Sequence, residues 1–154
     1  MRNNKKLMRE QLQGSLSRYQ SLRDGAAPPK GWIRAIRTAL GMSGRQLGER
    51  MGVTKQRASD IERQELEGSV TIRTMRRCAE ALDCVFVYGF VPKTSLEDTV
   101  RSKAQQVAER RLAEASHTMA LEDQALSREE NRRILTEMVD DLVDTMPSGL
   151  WDES

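Results

Sequence analysis

Five side chains within six positions, Lys55, Gln56, Arg57, Ser59 and Asp60, carry the groups that read nucleic-acid base edges. A glutamine amide pairs bidentately with adenine, lysine and arginine donate to guanine or a phosphate, and a carboxylate accepts from a cytosine amine. All five lie in GVTKQRASDIER, Gly52 to Arg63, a run with few apolar residues. A polar run taken alone is usually a solvated helix face, so its neighbours decide what these five can do.

The neighbours build a helix-turn-helix. SGRQLGERM, a turn at Gly52 and TKQRASDIER have its spacing: Leu47 and Met51 face inward from the first helix, Val53 plugs the turn, and Ala58 and Ile61 face inward from the second. Gly48 is small enough for the helices to cross closely, Gly52 supplies the positive φ of a sharp turn, and Thr54 is an N-cap. With those positions committed, the five polar side chains are left outward on an exposed helix N-terminus. Phosphate contacts are expected from Ser43, Arg45 and Gln46, where backbone N–H groups and the helix dipole favour an anion, and from Thr54 and Arg63.

These residues resemble the Cro and phage-repressor type of helix-turn-helix, the XRE family, over about Trp32 to Asp83. Its pattern stands here as Ser43, Leu47, Gly52, Val53, Thr54, Ser59, Ile61, Glu62 and Arg63. The resemblance implies a mainly α chain with a lambda-repressor-like, five-helix DNA-binding domain, and Lys55, Gln56 and Asp60 at positions that face bases. Two residues depart from the pattern. Gly44 replaces a common glutamine that touches phosphate, and Ala58 replaces the usual Ile or Val.

The whole chain also resembles the bacterial "mobile mystery protein A" group, through PPKGWIRAIRTALGMS, the recognition segment and ALDCVFVYGFVPK. Members are typically encoded beside a Fic-domain protein. The resemblance therefore implies an antitoxin-like regulator in a two-gene module, expected to repress its own promoter, with a Fic-type toxin as a candidate partner beside the double-stranded DNA of that promoter. Direct Fic inhibitors carry S/T-x-x-x-E-G/N on a helix. Ser127 to Glu130 and Asn131 is one residue too short for that motif and reads better as a capping box.

The rest of the chain is organised around this segment. Met8, Leu12, Leu16, Tyr19 and Leu22 make the stripe of an amphipathic helix within residues 1–25, and AAPPKG breaks it before a domain at 31–83. CVFVYGFV, Cys84 to Val91, is β-branched and aromatic and reads as one strand within 84–92. A lone strand leaves its backbone bare, so it is expected to pair with a second copy and make a homodimer, the alternative being a further strand within the same chain. Helices follow over 95–146, opened by Ser95 with Asp98 and by Ser127 with Glu130, and a tail at 147–154 carries Trp151.

Charge divides along the same lines. Residues 1–30 hold 7 basic and 2 acidic side chains, residues 31–94 hold 11 and 7, and residues 95–154 hold 7 and 14. A basic front suits a polyanion, whereas the acidic helices suit another partner, so an alternative reading is a module that neutralises a toxin through residues 95–146. Catalysis is not expected: His117 has no nucleophile or carboxylate constellation, and no phosphate loop, cofactor motif or metal-ligand cluster is present. Cys78 and Cys84 read as reduced thiols. No apolar run approaches the roughly 20 residues that span a membrane, and the N-terminal segment lacks the apolar stretch of a secretory signal, so the chain is expected to be cytoplasmic.

Overall fold

Among the described residues, 4–122 and 126–152, the computed structural model holds seven α-helices and no strand. They are α1 (Asn4–Leu16), α2 (Trp32–Ala39), α3 (Gly44–Met51), α4 (Lys55–Glu67), α5 (Ile72–Ala81), α6 (Leu96–Leu121) and α7 (Arg128–Thr145). The chain divides into two units, Leu22–Gly89 and a second made of Met1–Ser21 with Phe90–Ser154.

In Leu22–Gly89 each short helix is bounded by a residue that satisfies its free backbone groups. Ser43, Thr54 and Thr71 cap the N-termini of α3, α4 and α5, and glycines in the left-handed region close α3 and α4. Helix α2 follows Gly31, which has no side chain to offer. The carboxylate of Glu65 on α4 serves instead, accepting from the backbone N–H of Trp32 at 2.6 Å and of Ile33 at 2.9 Å. Ile33, Leu47, Met51, Ile61, Cys78, Ala81 and Leu82 form the core, and each large apolar side chain removed from water stabilises by roughly 1.5–3 kcal/mol.

Two expectations are corrected here. Four α-helices build this unit, where the family resemblance implied five. More consequentially, Cys84 to Val91 is irregular chain and not a strand, so the expected pairing of that strand between two copies loses its basis. β-Branched and aromatic residues suit a half-buried surface, but a strand exists only where a neighbouring backbone offers free N–H and C=O groups. The helices have used theirs internally. The segment finds other partners: the N–H of Cys84 donates to the Ala79 carbonyl at 2.8 Å, and Phe86 stacks on Tyr88 at 5.9 Å. The Arg76 guanidinium lies 5.9 Å from the centre of the Tyr88 ring.

The second unit rests on α6 against α7. Val100, Ala104, Val107 and Ala108 face Val139, Leu142 and Val143, and Leu150 from the tail completes the cluster. Capping is as the sequence suggests: Ser95 accepts from the Asp98 N–H, and Ser127 with Glu130 forms a reciprocal capping box. Leu150, 1% exposed, anchors the tail, while Trp151 stays half exposed.

Helix α1 is bounded differently from the expected stripe. It ends at Leu16 and continues as a 3-10 helix over Ser17–Leu22, and Met8 and Leu12 remain exposed. The residue that faces inward is Arg9, whose Nε donates to Glu97 at 2.8 Å and whose Nη1 lies 3.1 Å from the Met146 sulfur. Gln13 accepts the Leu96 N–H at 2.9 Å, so α1 is tied to the start of α6 by polar contacts.

Candidate nucleic-acid interface

The inner face of the helix-turn-helix is as its spacing requires. Leu47 and Ala58 are 0% and 1% exposed, Ile61 is 2% exposed, and Met51 is buried beside them. Gly52 takes φ 70° as the C-cap of α3, and Thr54 Oγ1 accepts from the Arg57 N–H at 3.0 Å. Gly48 sits where a Cβ would lie 2.8 Å from the Val53 carbonyl oxygen and 3.0 Å from that of Thr54. Only a residue without a side chain lets α3 approach this turn so closely.

The outer face carries the polar set. Lys55, Gln56, Arg57 and Ser59 are exposed, and Arg57 leans along the helix so that Nη1 is 3.5 Å from the Gln64 amide oxygen. Asp60 differs from them: its side chain is only 29% exposed. Its Oδ1 receives the Gln56 amide nitrogen at 3.3 Å and lies 3.2 Å from Arg63 Nη2. Arg63 also lies 3.6 Å from Glu67 and keeps 62% of its side-chain surface exposed.

At the start of α3, Ser43 Oγ accepts from the Gln46 N–H at 3.1 Å, and Gln46 Oε1 accepts from the Ser43 N–H at 2.8 Å. Both side chains thereby spend their acceptors on the helix end. What each retains is a donor, the Ser43 hydroxyl proton and the Gln46 amide N–H₂, which is the group a phosphate oxygen needs. Arg45 pairs with Glu49 one turn on and is exposed.

Three positioning residues were not recognisable as such from the outer-face reading. Arg37, Glu62 and Glu65 fix α4 to α2, Glu65 through the N-terminus of α2 and Glu62 through an ion pair with Arg37. Their signal was present. Ala58, Ile61, Glu62 and Glu65 stand at i, i+3, i+4 and i+7, so the two carboxylates continue the buried stripe of α4.

No group of three His, Cys, Asp or Glu side chains among the described residues could hold a metal ion, and no described helix is long and apolar enough to cross a membrane. Residues 33–86 match the family model described as "Helix-turn-helix", which covers α2 through α5 and the first residues after them. Neither the curated proteins nor the solved structures include a match. The family match supports an XRE-type helix-turn-helix in this segment and a DNA-binding regulator.

Proposed function

We propose that this protein is a sequence-specific transcriptional regulator that lays α4 in the major groove of double-stranded DNA. Lys55, Gln56, Arg57 and Ser59 face the bases, and Ser43, Arg45, Gln46, Thr54 and Arg63 meet phosphates. The observation that carries this reading is the division of α4: Ala58 and Ile61 are buried while the four residues around them are exposed, on a helix that begins at a capped turn. Residues 22–89 also carry 12 basic against 8 acidic side chains, a balance that favours approach to a polyanion.

The finer reading is a dimeric autorepressor and antitoxin-like component of a two-gene module with a Fic-type toxin. Its antitoxin-like part is supported by the resemblance carried by PPKGWIRAIRTALGMS and ALDCVFVYGFVPK. A two-fold pair would suit a palindromic operator with half-sites about one helical turn apart. A second reading, neutralisation of a toxin through the C-terminal helices, is favoured by the 14 acidic side chains of residues 95–154 against 7 basic ones.

The test is an electrophoretic shift with the DNA upstream of the protein's own gene. Wild type should bind it more tightly than random duplex in a salt-sensitive manner, and Gln56→Ala and Lys55→Ala should reduce that preference. No salt-sensitive preference would overturn the reading. For the second reading, removal of residues 95–154 should abolish co-purification with the product of the neighbouring gene, and an intact complex would exclude those residues as the grip.

A further inference from the structure

A carboxylate on a DNA-reading helix is out of place unless it has a use, because it meets a polyanion. Asp60 is the only acidic residue among Lys55, Gln56, Arg57, Ser59 and Asp60, and the only one of them that is half-buried and not exposed. Its side chain is turned along the helix to Gln56, one turn before it, and to Arg63, three residues after it. We infer that Asp60 is a positioning residue, which sets the base preference of α4 by fixing the orientation of the Gln56 amide. The inference rests on the DNA-reading role proposed for α4.

The physical argument starts from what a carboxylate can accept. Ionised Asp60 has no donor, so the end of the Gln56 amide facing it must be the N–H₂ group, and the 3.3 Å contact is made by Nε2. That fixes the position of the carbonyl Oε1 and of the second N–H. Both remain available, and they are the pair that adenine requires, an acceptor for its N6 amine and a donor for its N7. An amide with no such neighbour presents either end with similar ease. It then places a donor where adenine needs an acceptor in a large share of encounters, and its discrimination falls. Arg63 contributes by holding the same carboxylate oxygen at 3.2 Å, which offsets the charge that Asp60 would otherwise bring near phosphates.

A direct base contact by Asp60 makes a different prediction, so the two are separable by position in the operator. Preferred duplexes are selected from a randomised pool by the full-length wild type, Gln56→Ala, Asp60→Ala and Asp60→Asn, and affinities are measured on single-base variants of the selected site. If wild type selects nothing, the DNA-reading role itself fails. Given a selected site, Gln56→Ala should erase preference at one base pair. Asp60→Ala should then relax preference by about tenfold at that same pair, the scale of one bidentate contact. Binding to all duplexes should also tighten, because a like charge has been removed. Asp60→Asn, whose amide accepts from or donates to Gln56, should also relax that pair while conserving shape. The inference is overturned if Asp60→Ala changes preference at a pair that Gln56→Ala leaves intact, or if it leaves every preference unchanged.

Discussion

Arg37 and Glu62 form a two-pronged ion pair between α2 and α4, with Nε 2.6 Å from Oε1 and Nη2 3.3 Å from Oε2. Their side chains are only 15% and 12% exposed, and the remaining arginine nitrogen donates to the Met42 carbonyl at 2.9 Å. One guanidinium therefore ties helix α4, helix α2 and the turn into α3. Glu62→Ala should cost roughly 1–3 kcal/mol, because it leaves the largely buried Arg37 guanidinium without its counter-charge. Urea unfolding of the full chain, followed by helical circular dichroism, measures this. Replacing both partners with apolar residues should recover much of the loss, so the double mutant should unfold at higher urea than Glu62→Ala.

Gly48 and Gly52 should fail for different reasons when replaced by alanine. At Gly48 the added Cβ meets backbone carbonyl oxygens at 2.8 and 3.0 Å, which cannot move without shifting the turn. At Gly52 nothing lies within 4 Å and only the φ of 70° resists a side chain. Gly52→Ala should cost about 1 kcal/mol of conformational strain with the interface intact. Gly48→Ala should cost roughly 1–3 kcal/mol, as overpacking does, and should also displace α3 from α4. The distinguishing measurement is DNA affinity at a temperature where both variants are folded: Gly48→Ala should lose more of it.

The sequence made the inner face of the helix-turn-helix legible because its residues have only one use. Leu47, Ala58 and Ile61 recur at helical spacing, and the glycines stand where no side chain fits. Polar residues were harder to place, since Glu62 and Glu65 look from composition alone like any exposed pair on a charged helix. Their burial depends on α2 presenting Arg37 and a bare N-terminus opposite them, a tertiary fact. The segment Cys84 to Val91 misled for a related reason: its composition states a preference for a pleated surface, but the existence of a strand depends on a partner elsewhere. In α1 the apolar stripe was visible, yet Arg9 took the inward position because Glu97 and Met146 await it there.

Cys78 and Cys84 should report the packing of Leu22–Gly89 by their reactivity. Burial first, and then the nearby Glu65 carboxylate, push the Cys78 thiol from 9.0 to about 11, whereas Cys84 is exposed. At pH 8 a thiol reagent should label Cys84 quickly and Cys78 only through unfolding, giving one fast and one slow equivalent. The same shift has a thermodynamic sign. The folded state favours the protonated thiol, so its contribution is fully present below pH 9 and is lost as pH rises through 9 toward 11. Cys78→Ala should remove that part of the alkaline loss of stability, measured as the difference in urea midpoint between pH 8 and pH 10.5.

Glu130 should show the opposite sign at the acid end. Its carboxylate accepts the Ser127 N–H at 2.9 Å, and this hydrogen bond, followed by one with the Ser127 side chain, holds its pKa below the ordinary 4.5. A carboxyl group depressed in the folded state stabilises above its unfolded value, and that contribution disappears as pH falls below 4.5 through the folded value. Because Glu130 is fully exposed, the effect is confined to the first turn of α7 and is weakened by salt. Ser127→Ala keeps the backbone N–H and removes only the hydroxyl, so it should raise the Glu130 midpoint part of the way toward 4.5 in a carboxyl NMR titration, and it should lower the stability of α7 by about 1 kcal/mol through loss of the N-cap. A Glu130 midpoint that stayed put in Ser127→Ala would mean that the Ser127 side chain adds nothing to the depression and that the backbone N–H alone causes it.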